Sequence, residues 1–253
     1  MIVCKSPAEI EKMRTANQLV ARILEELAAM VAPGVSTADL DEAAEAKVQA
    51  AGADSAFKGY RGYPATLCAS VNEQVVHGIP NRTPLKSGDI VSLDMGVRLN
   101  GFYGDSAITV PVGVVDEQVK RLLRVTQEAL EKGIAQVKVG GRISDIGHAI
   151  QAHVEANGFS VVREFVGHGI GASLHEEPQI ANYGEPGRGP RLVEGMTLAI
   201  EPMVNMGKAA VKIMADGWTA VTKDGSLSAH FEHTVAVTKN GALVLTSREP
   251  VAP

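Results

Sequence analysis

The first apolar pattern along the chain has the period of an α-helix. Ser6-Pro7-Ala8-Glu9 combines a capping box with a proline at the first helical position, which is a typical helix start. Pro33-Gly34 is a typical stop, and a second helix is predicted from about Thr37 to near Gly52. The apolar positions that share one face of the first helix are Ile10, Met13, Val20, Ile23, Leu24 and Leu27.

Residues 89–110 (DIVSLDMGVRLNGFYGDSAITV) follow a different pattern and predict a β-hairpin. Asn100-Gly101 is a preferred pair for a two-residue turn. With that turn, Asp105 lies opposite Gly96, so Asp94 and Asp105 share one face of the sheet. Their Cα atoms are then roughly 7–8 Å apart, close enough for two carboxylates to bind one ion. The opposite face is predicted to belong to the core: Val91, Leu93, Met95 and Val97.

The chain also repeats its own pattern. One echo, with an offset of 106, maps Gly34, Asp39, Leu40, Val48 and Gly52 onto Gly140, Asp145, Ile146, Val154 and Gly158. A second, with an offset of 107, maps 85–88 (LKSG) and Asp94 onto 192–195 (LVEG) and Glu201. A third is the tripeptide HGI at 77–79 and 168–170. We therefore predict that residues 1–253 form one domain with two internally similar halves. Its predicted fold is α+β, with helices covering one face of a mostly antiparallel sheet.

Composition narrows the class of protein. Apolar residues make up 45% and charged residues 21% of the chain, as in ordinary globular proteins. The net charge is −5 and no lysine- or arginine-rich run occurs, so nucleic acid is not a predicted partner. Two cysteines, Cys4 and Cys68, do not suffice for a disulfide framework, and no signal peptide or membrane span is evident. We expect a cytoplasmic protein.

Acidic residues on strands suggest metal chemistry. Glu201 follows an apolar strand, and Glu232 begins another, so four carboxylates are predicted on strands of one duplicated sheet. His168 lies among three glycines in VGHGIGASLHEEP, where the backbone allows close approach of a ligand. Two divalent cations would neutralise four carboxylates, and oxygen ligands with one imidazole suit Mn, Fe, Co or Zn. The sequence therefore predicts a two-metal site that activates water.

These residues and their surroundings resemble type I methionine aminopeptidases. The resemblance covers nearly the whole chain and implies the pita-bread fold and a dinuclear metal centre. It also implies the removal of initiator methionine from nascent polypeptides when the second residue is small, by a monomer that works at the ribosome. The matching stretches are GYPATLCASVNEQVVHGIP, LDMGVRLNGFYGDSA, GHGIGASLHEEP, AIEPM and DGWTAVTKDGSLSAHFEHTVAV.

The resemblance assigns a role to each candidate residue. It implies that Asp105 and Glu232 bridge the two metals, that Asp94 binds one, and that His168 and Glu201 complete the other. Glu201 is also the usual candidate for the general base. His175 is implied to hydrogen-bond the scissile carbonyl, and His77 to position the peptide or shuttle a proton.

The methionine pocket is implied to be lined by Tyr60, Tyr63, Cys68 and Trp218, together with His77 and His175. Phe57 stands where a cysteine is frequent in the family, and Leu174 where an aromatic residue is frequent. Both keep the site apolar, but the resemblance does not define the shape of the pocket at these two positions. From the residues alone, the two tyrosines and the tryptophan could equally stabilise turns.

The other histidines are interpreted as structural. His148 and His153 are expected to face solvent or pack on a helix. His230 shares strand parity with Glu232, which would allow it to approach the site, but it is interpreted as an ordinary strand residue, whereas His233 points the other way.

Two other classes of protein remain open. One is a hydrolase of the same fold that cleaves X-Pro bonds, although such relatives usually carry a large extra N-terminal domain. The other is a non-catalytic peptide- or RNA-binding relative, which is expected to lose metal ligands and gain basic surface. All five candidate ligands are present here, and the net charge is −5.

Overall fold

The helices of the computed structural model, which describes residues 1–247, lie where the capping signals predict them. Ser6 accepts a hydrogen bond from the backbone N–H of Glu9, and the Glu9 carboxylate accepts one from the backbone N–H of Ser6. The second helix has the same capping arrangement. Both predicted N-terminal helices are confirmed. The described helices are α1 (Pro7–Met30), α2 (Thr37–Ala50), α3 (Glu117–Ile134) and α4 (Ile143–Ala156).

The strands of the first half include one long hairpin, whereas those of the second half are mostly two to five residues long. A short 3-10 turn at Tyr60–Gly62 joins the first two strands. The strands of the first half are β1 (Asp54–Ser55), β2 (Cys68–Val71), β3 (Gln74–Val76), β4 (Ile90–Leu99) and β5 (Phe102–Pro111). Those of the second half are β6 (Ser160–Val161), β7 (Gly167–Gly169), β8 (Glu176–Ile180), β9 (Thr197–Ile200), β10 (Met203–Asn205), β11 (Val211–Ile213), β12 (Ala220–Thr222), β13 (Ser228–His230), β14 (His233–Thr238) and β15 (Gly241–Val244).

Every strand pair within residues 1–247 is antiparallel. The strands form four sheets rather than the one shared sheet that the sequence suggested, because short strands end before they can pair across a wide sheet. Their orders are β1-β4-β2 with β5 on β4, β13-β10-β6, β11-β12-β3 and β15-β14-β9-β7-β8. The α+β class is confirmed, and so is the antiparallel pairing.

The hairpin of β4 and β5 has the predicted register. Asn100 and Gly101 both have positive φ, 53° and 84°, as a tight two-residue turn requires. Asp105 lies opposite Gly96, and β2 pairs with the other edge of β4, with Cys68 opposite Asp94. Because each pair fixes the next, the turn determines where both acidic side chains lie.

Helix α1 packs directly on this hairpin. A methyl group added to Gly104 would lie 2.8 Å from the backbone carbon of Ala16 and the backbone nitrogen of Asn17, so only glycine permits this approach. The Asn17 side chain donates to the carbonyl of Met13 and accepts from the backbone N–H of Asp105. The helix therefore supports the strand at the position of an acidic residue.

The two halves share local contacts at matching positions. The backbone N–H of Gly34 donates to the carbonyl of Leu85, and that of Gly140 donates to the carbonyl of Leu192. Both glycines have positive φ, 94° and 88°. These contacts support our proposal that the halves are internally similar.

One hydrophobic cluster takes residues from both halves of the chain. It includes Leu24 and Leu93 from the first half and Ile146 and Ile200 from the second, all fully buried or nearly so. The organisation as one domain stays a prediction, which the shared core supports.

Replacing Gly104 with Ala should destabilise the fold, because the added methyl group would push α1 away from β5. Overpacking of this kind costs about 1–3 kcal/mol in the free energy of unfolding. Urea denaturation followed by circular dichroism would measure the loss. Lys12→Ala, at an exposed position of α1, is the control and should leave the free energy of unfolding unchanged within about 0.5 kcal/mol. An unchanged unfolding midpoint for Gly104→Ala would contradict this close packing.

Candidate metal centre and substrate cleft

The five candidate ligands come from strands or strand ends of both halves. Asp94 lies on β4 and Asp105 on β5, on the same face of the hairpin. His168 lies on β7, and Glu201 follows the last residue of β9. Glu232 lies between β13 and β14 and forms an isolated bridge with β5. Rigid antiparallel elements thus deliver all five residues to one region.

Three of these side chains lie close enough to hold one ion. Asp105, His168 and Glu232 are all buried, and one ligand atom of each lies within 4.8 Å of the others. The Nε2 atom of His168 is 3.6 Å from Oε1 of Glu201 and 3.9 Å from Oδ2 of Asp105. Its Nδ1 donates to the carbonyl of Gly169, which turns Nε2 toward the carboxylates.

Burial dominates the electrostatics of this cluster. It raises the pKa of Asp94 to about 7 and that of Glu201 to about 8. The pKa of Asp105 is raised well above its usual value by burial and by the neighbouring Asp94 and Glu201 carboxylates. Burial also lowers the pKa of His168 to about 4, so its imidazole is neutral at pH 7. Adjacent buried carboxylates of like charge need protons or cations to offset their repulsion.

The donor set fits divalent cations. Oδ1 of Asp105 is buried and has no hydrogen-bond partner within residues 1–247. A neutral imidazole nitrogen and several carboxylate oxygens are ligands that Mn, Fe, Co and Zn accept. An ion at this position would satisfy the buried oxygen and offset the carboxylate charge.

The cluster lies in a cleft of about 180 Å³. Phe57 and Leu174 also line it, as does Arg61. The structure brings together in this cleft every site residue proposed from the sequence: Tyr60, Tyr63, Cys68, His77, Asp94, Asp105, His168, His175, Glu201, Trp218 and Glu232.

The cleft has an apolar end built on a buried tyrosine. The hydroxyl of Tyr63 lies 2.9 Å from the carbonyl of Gly78 and 3.1 Å from that of Leu67, which share its one proton. Its ring packs edge-to-face with Trp218, with 5.1 Å between centroids. Cys68 is buried beside it, and burial raises the pKa of its thiol. That thiol is protonated at pH 7, so this end of the cleft is uncharged and Cys68 is not an activated nucleophile.

Two histidines stand between the apolar end and the carboxylates. His77 has a positive φ of 61°, and its ring packs edge-on against Phe165 with 5.4 Å between centroids. Nδ1 of His175 is 3.0 Å from the hydroxyl of Tyr60, and its ring lies 4.3 Å from that of His168. Burial lowers the pKa of both His77, to about 4, and His175. Neutral imidazoles can donate one hydrogen bond and accept another.

Comparison with protein families explains this arrangement. A family model described as metallopeptidase family M24 matches residues 11–239. The chain belongs to metallopeptidase family M24. A methionine aminopeptidase 1 of Bacillus subtilis is 54% identical over 97% of this chain and 99% of its own length. A methionine aminopeptidase of Escherichia coli is 49% identical over 98% of this chain and 95% of its own.

Three solved structures each match 98% of this chain. A methionine aminopeptidase from Rickettsia prowazekii has a TM-score of 0.97 at 44% identity, covering 98% of this chain and 100% of that one. One from Thermotoga maritima has a TM-score of 0.96 at 51% identity, with the same coverage. A Pyrococcus furiosus prolidase, at 22% identity, shares the fold with a TM-score of 0.78, and the chain covers 66% of it. The predicted pita-bread fold is confirmed.

A buried ion pair in this M24 metallopeptidase holds the loop that carries His175. Nζ of Lys5 is 2.5 Å from Oε2 of Glu176, and both side chains are largely buried. The other Glu176 oxygen accepts from the backbone N–H of Ser173. The backbone N–H of Lys5 donates to the carbonyl of Gly195, which anchors the N-terminal segment. No pattern in the sequence indicates this contact, because the partners are 171 residues apart.

Two further residues lie at the site, and the sequence analysis did not assign either of them to it. Arg61 lines the cleft, and the only local signal is the pair of glycines that flank the turn on which it lies. His230 was interpreted as an ordinary strand residue, but its Nε2 lies 3.6 Å from Oε2 of Glu201. The strand parity that His230 shares with Glu232 was the correct signal, and it carries the buried ring to the site.

The remaining histidines of the M24 chain lie where they were expected. Nδ1 of His148 is 3.1 Å from the carbonyl of Gly184, and Nε2 of His153 is 2.9 Å from a carboxylate oxygen of Glu128. His233 contacts Thr246 outside the cleft. These residues serve packing and surface contacts.

Lys5→Met should destabilise the M24 chain, because it leaves the Glu176 carboxylate partly buried without its cation. Breaking a buried pair costs about 3–5 kcal/mol, and the upper part of that range requires complete burial. Lys5→Met/Glu176→Gln should recover much of the loss, because the uncompensated charge is removed. Chemical denaturation of the unmodified chain, Lys5→Met, Glu176→Gln and the double variant measures the coupling.

Lys12→Met, at an exposed position of α1, is the matched control and should leave stability unchanged within about 0.5 kcal/mol. A loss in the double variant equal to the sum of the losses in Lys5→Met and Glu176→Gln would show that the two charges are not coupled.

Proposed function

We propose that this chain is a methionine aminopeptidase that removes the initiator methionine from nascent polypeptides during translation when the second residue is small. The observation that carries the proposal is that one cleft contains both a candidate metal site and an apolar pocket. A cluster of buried carboxylates and His168 adjoins an apolar end formed around Tyr63 and Trp218. The names of the most similar relatives support the same activity.

We propose that the acidic cluster binds two divalent metal ions, which are Co, Mn, Fe or Zn. In this assignment Asp105 and Glu232 would be shared by the two ions, Asp94 would hold one of them, and His168 with Glu201 would hold the other. The burial of Asp105, His168 and Glu232 around one point supports this assignment. When bound, such ions polarise a peptide carbonyl and activate water near neutral pH.

His175 is the proposed donor to the scissile carbonyl. The Tyr60 hydroxyl lies 3.0 Å from its Nδ1, and by donating there it leaves the proton of the neutral ring on Nε2. That proton can then be donated to the carbonyl oxygen as negative charge develops on it. His77 is proposed to position the peptide or to shuttle a proton, and its neutral ring suits either task.

Glu201 is the proposed general base. Burial raises its pKa to about 8 when no cation is bound, and a cation beside the carboxylate would lower it, so that the group is ionised and able to accept a proton. It would accept a proton from the attacking water and return it to the leaving amine. His230, 3.6 Å from its Oε2, is the neighbour on the side away from His168.

The methionine side chain is assigned to the apolar end of the cleft, against Tyr63, Cys68 and Trp218. Tyr60, with His77 and His175, borders the space for the reacting bond and the second residue. Because these side chains are packed, a branched second residue would displace the carbonyl. A displacement of about 1 Å can cost on the order of 10²-fold in rate.

We further propose that the protein acts as a monomer on chains emerging from the ribosome, in the cytoplasm. No helix in residues 1–247 is long and apolar enough to cross a membrane. Residues 1–253 are proposed to form a single catalytic domain, and the core shared between the two halves supports this.

Peptides test the activity directly. With added Mn or Co, the enzyme should release methionine from Met-Ala-Ser about 100-fold more efficiently than from Met-Leu-Ser, because the leucine side chain displaces the carbonyl. The assay measures kcat/KM by quantifying free methionine. Ala-Pro is the control substrate and should not be cleaved. Preferred cleavage of Ala-Pro would instead identify an X-Pro hydrolase, and binding without turnover would identify a non-catalytic relative.

Two substitutions separate metal binding from catalysis. Asp105→Asn should abolish turnover and weaken the binding of both ions, because a bridging carboxylate is lost. His175→Ala should keep its metal content and lose on the order of 10²–10³ in kcat, as expected for one oxyanion donor. Calorimetric titration with Mn and steady-state kinetics provide the two measurements. A parallel loss of metal from His175→Ala would make that residue a ligand and contradict its proposed role.

A further inference from the structure

Arg61 projects into the cleft from a tight turn. Its backbone φ is 49°, and the flanking Gly59 and Gly62 also have positive φ, 85° and 88°. A side chain that is not glycine pays a steric cost in this conformation, and such residues are found frequently at functional sites. The turn is closed by a hydrogen bond from the backbone N–H of Gly59 to the carbonyl of Tyr63. The backbone therefore fixes the point from which Arg61 extends.

The guanidinium lies beside the proposed catalytic groups. Its carbon is 5.4 Å from the centroid of the Tyr60 ring, which contacts His175 through its hydroxyl. The positive charge of Arg61 contributes, after burial, to the lowered pKa of His175. Arg61 thus acts electrostatically on the part of the cleft where the scissile carbonyl is assigned.

Arg61 is free to meet a ligand. It is exposed, and it forms no ion pair with any residue in the range 1–247. Among the described residues that line the cleft, it is the only lysine or arginine. An exposed cation that is not ion-paired within the described residues, at the edge of a cleft, attracts anionic groups on a ligand.

The location of Arg61 defines which part of a substrate it meets. Methionine is assigned to the apolar end by Tyr63 and Trp218, and the scissile bond to the side of His175. Because Arg61 is exposed and lies over Tyr60, which contacts His175, the rest of the chain is assigned a path past these two residues. An extended chain advances about 3.3 Å per residue, so the third and fourth residues come within reach of the guanidinium.

Resting on the proposed aminopeptidase activity, we propose that Arg61 is a specificity-determining residue that selects polypeptides with an acidic side chain at the third or fourth position. Lysine or arginine at those positions is disfavoured by repulsion. The selection is modest because the guanidinium is exposed. A single exposed ion pair alters affinity by up to about fivefold. The difference between an acidic and a basic peptide is larger than that, because attraction to Arg61 is replaced by repulsion.

Three amidated peptides test this preference: Met-Ala-Glu-Phe, Met-Ala-Gln-Phe and Met-Ala-Lys-Phe. Amidation removes the C-terminal carboxylate, which could otherwise occupy Arg61. At low salt, the unmodified enzyme should show a ratio of kcat/KM between the Glu and Lys peptides of about three to ten. The ratio should fall toward one at 0.5 M salt, roughly the range where the Debye length is only a few ångströms.

Substitutions then assign the preference to Arg61. Arg61→Gln should reduce the Glu/Lys ratio to near one, and Arg61→Lys should keep part of it. Arg98→Gln is the matched control, because Arg98 is also exposed and also lies over a tyrosine ring, 6.0 Å from Tyr103, but does not line the cleft. It should keep the full ratio.

Release of methionine from all three peptides at equal efficiency would overturn this inference and leave the proposed activity intact. A ratio that persists in Arg61→Gln would also overturn it, since another group would then carry the preference. Failure to release methionine even from the Gln peptide would overturn the proposed activity, and this inference with it.

Discussion

The burial of several carboxylates around one point is the constraint on which the rest of this structure depends. Asp94, Asp105 and Glu201 all have raised pKa values because they are withdrawn from water. A cluster of this kind is unfavourable in isolation, so rigid elements must hold it until cations or protons offset the repulsion. The antiparallel hairpin and the short strands of the second half supply that rigidity.

Polar side chains beneath the cluster fix its backbone. The hydroxyl of Thr234 donates to the carbonyl of Asp105, while Asn17 accepts from the N–H of the same residue. The hydroxyl of Ser106 donates to the carbonyl of Glu232. Helix α1, strand β5 and strand β14 therefore hold two acidic residues in place through buried hydrogen bonds. Such support keeps a site in geometry without requiring the ligand to organise it.

Local rules predicted those parts of the molecule that depend on neighbouring residues. The turn at Asn100 fixed the hairpin register, and the capping boxes fixed the helix starts, because both are decided within a few residues. The contact of Lys5 with Glu176 was not predicted, because it depends on how distant segments pack, and no period or turn signal in the sequence encodes that packing. The division of the strands among four sheets has the same origin. Strand parity indicated that His230 could approach the site, but not that its ring would lie 3.6 Å from Glu201.

The internal similarity of the two halves explains how the acidic residues are placed, but it does not explain the other residues of the cleft. Gly88 and Gly195, both with positive φ, each precede by six residues the acid that their half contributes, Asp94 or Glu201. Equivalent turns can therefore deliver equivalent carboxylates to a shared centre. The turn that carries Arg61 lies outside the matched segments and supplies the cation of the cleft. A symmetric scaffold thus suits the binding of paired ions, whereas selection of a directional peptide requires side chains that only one half provides.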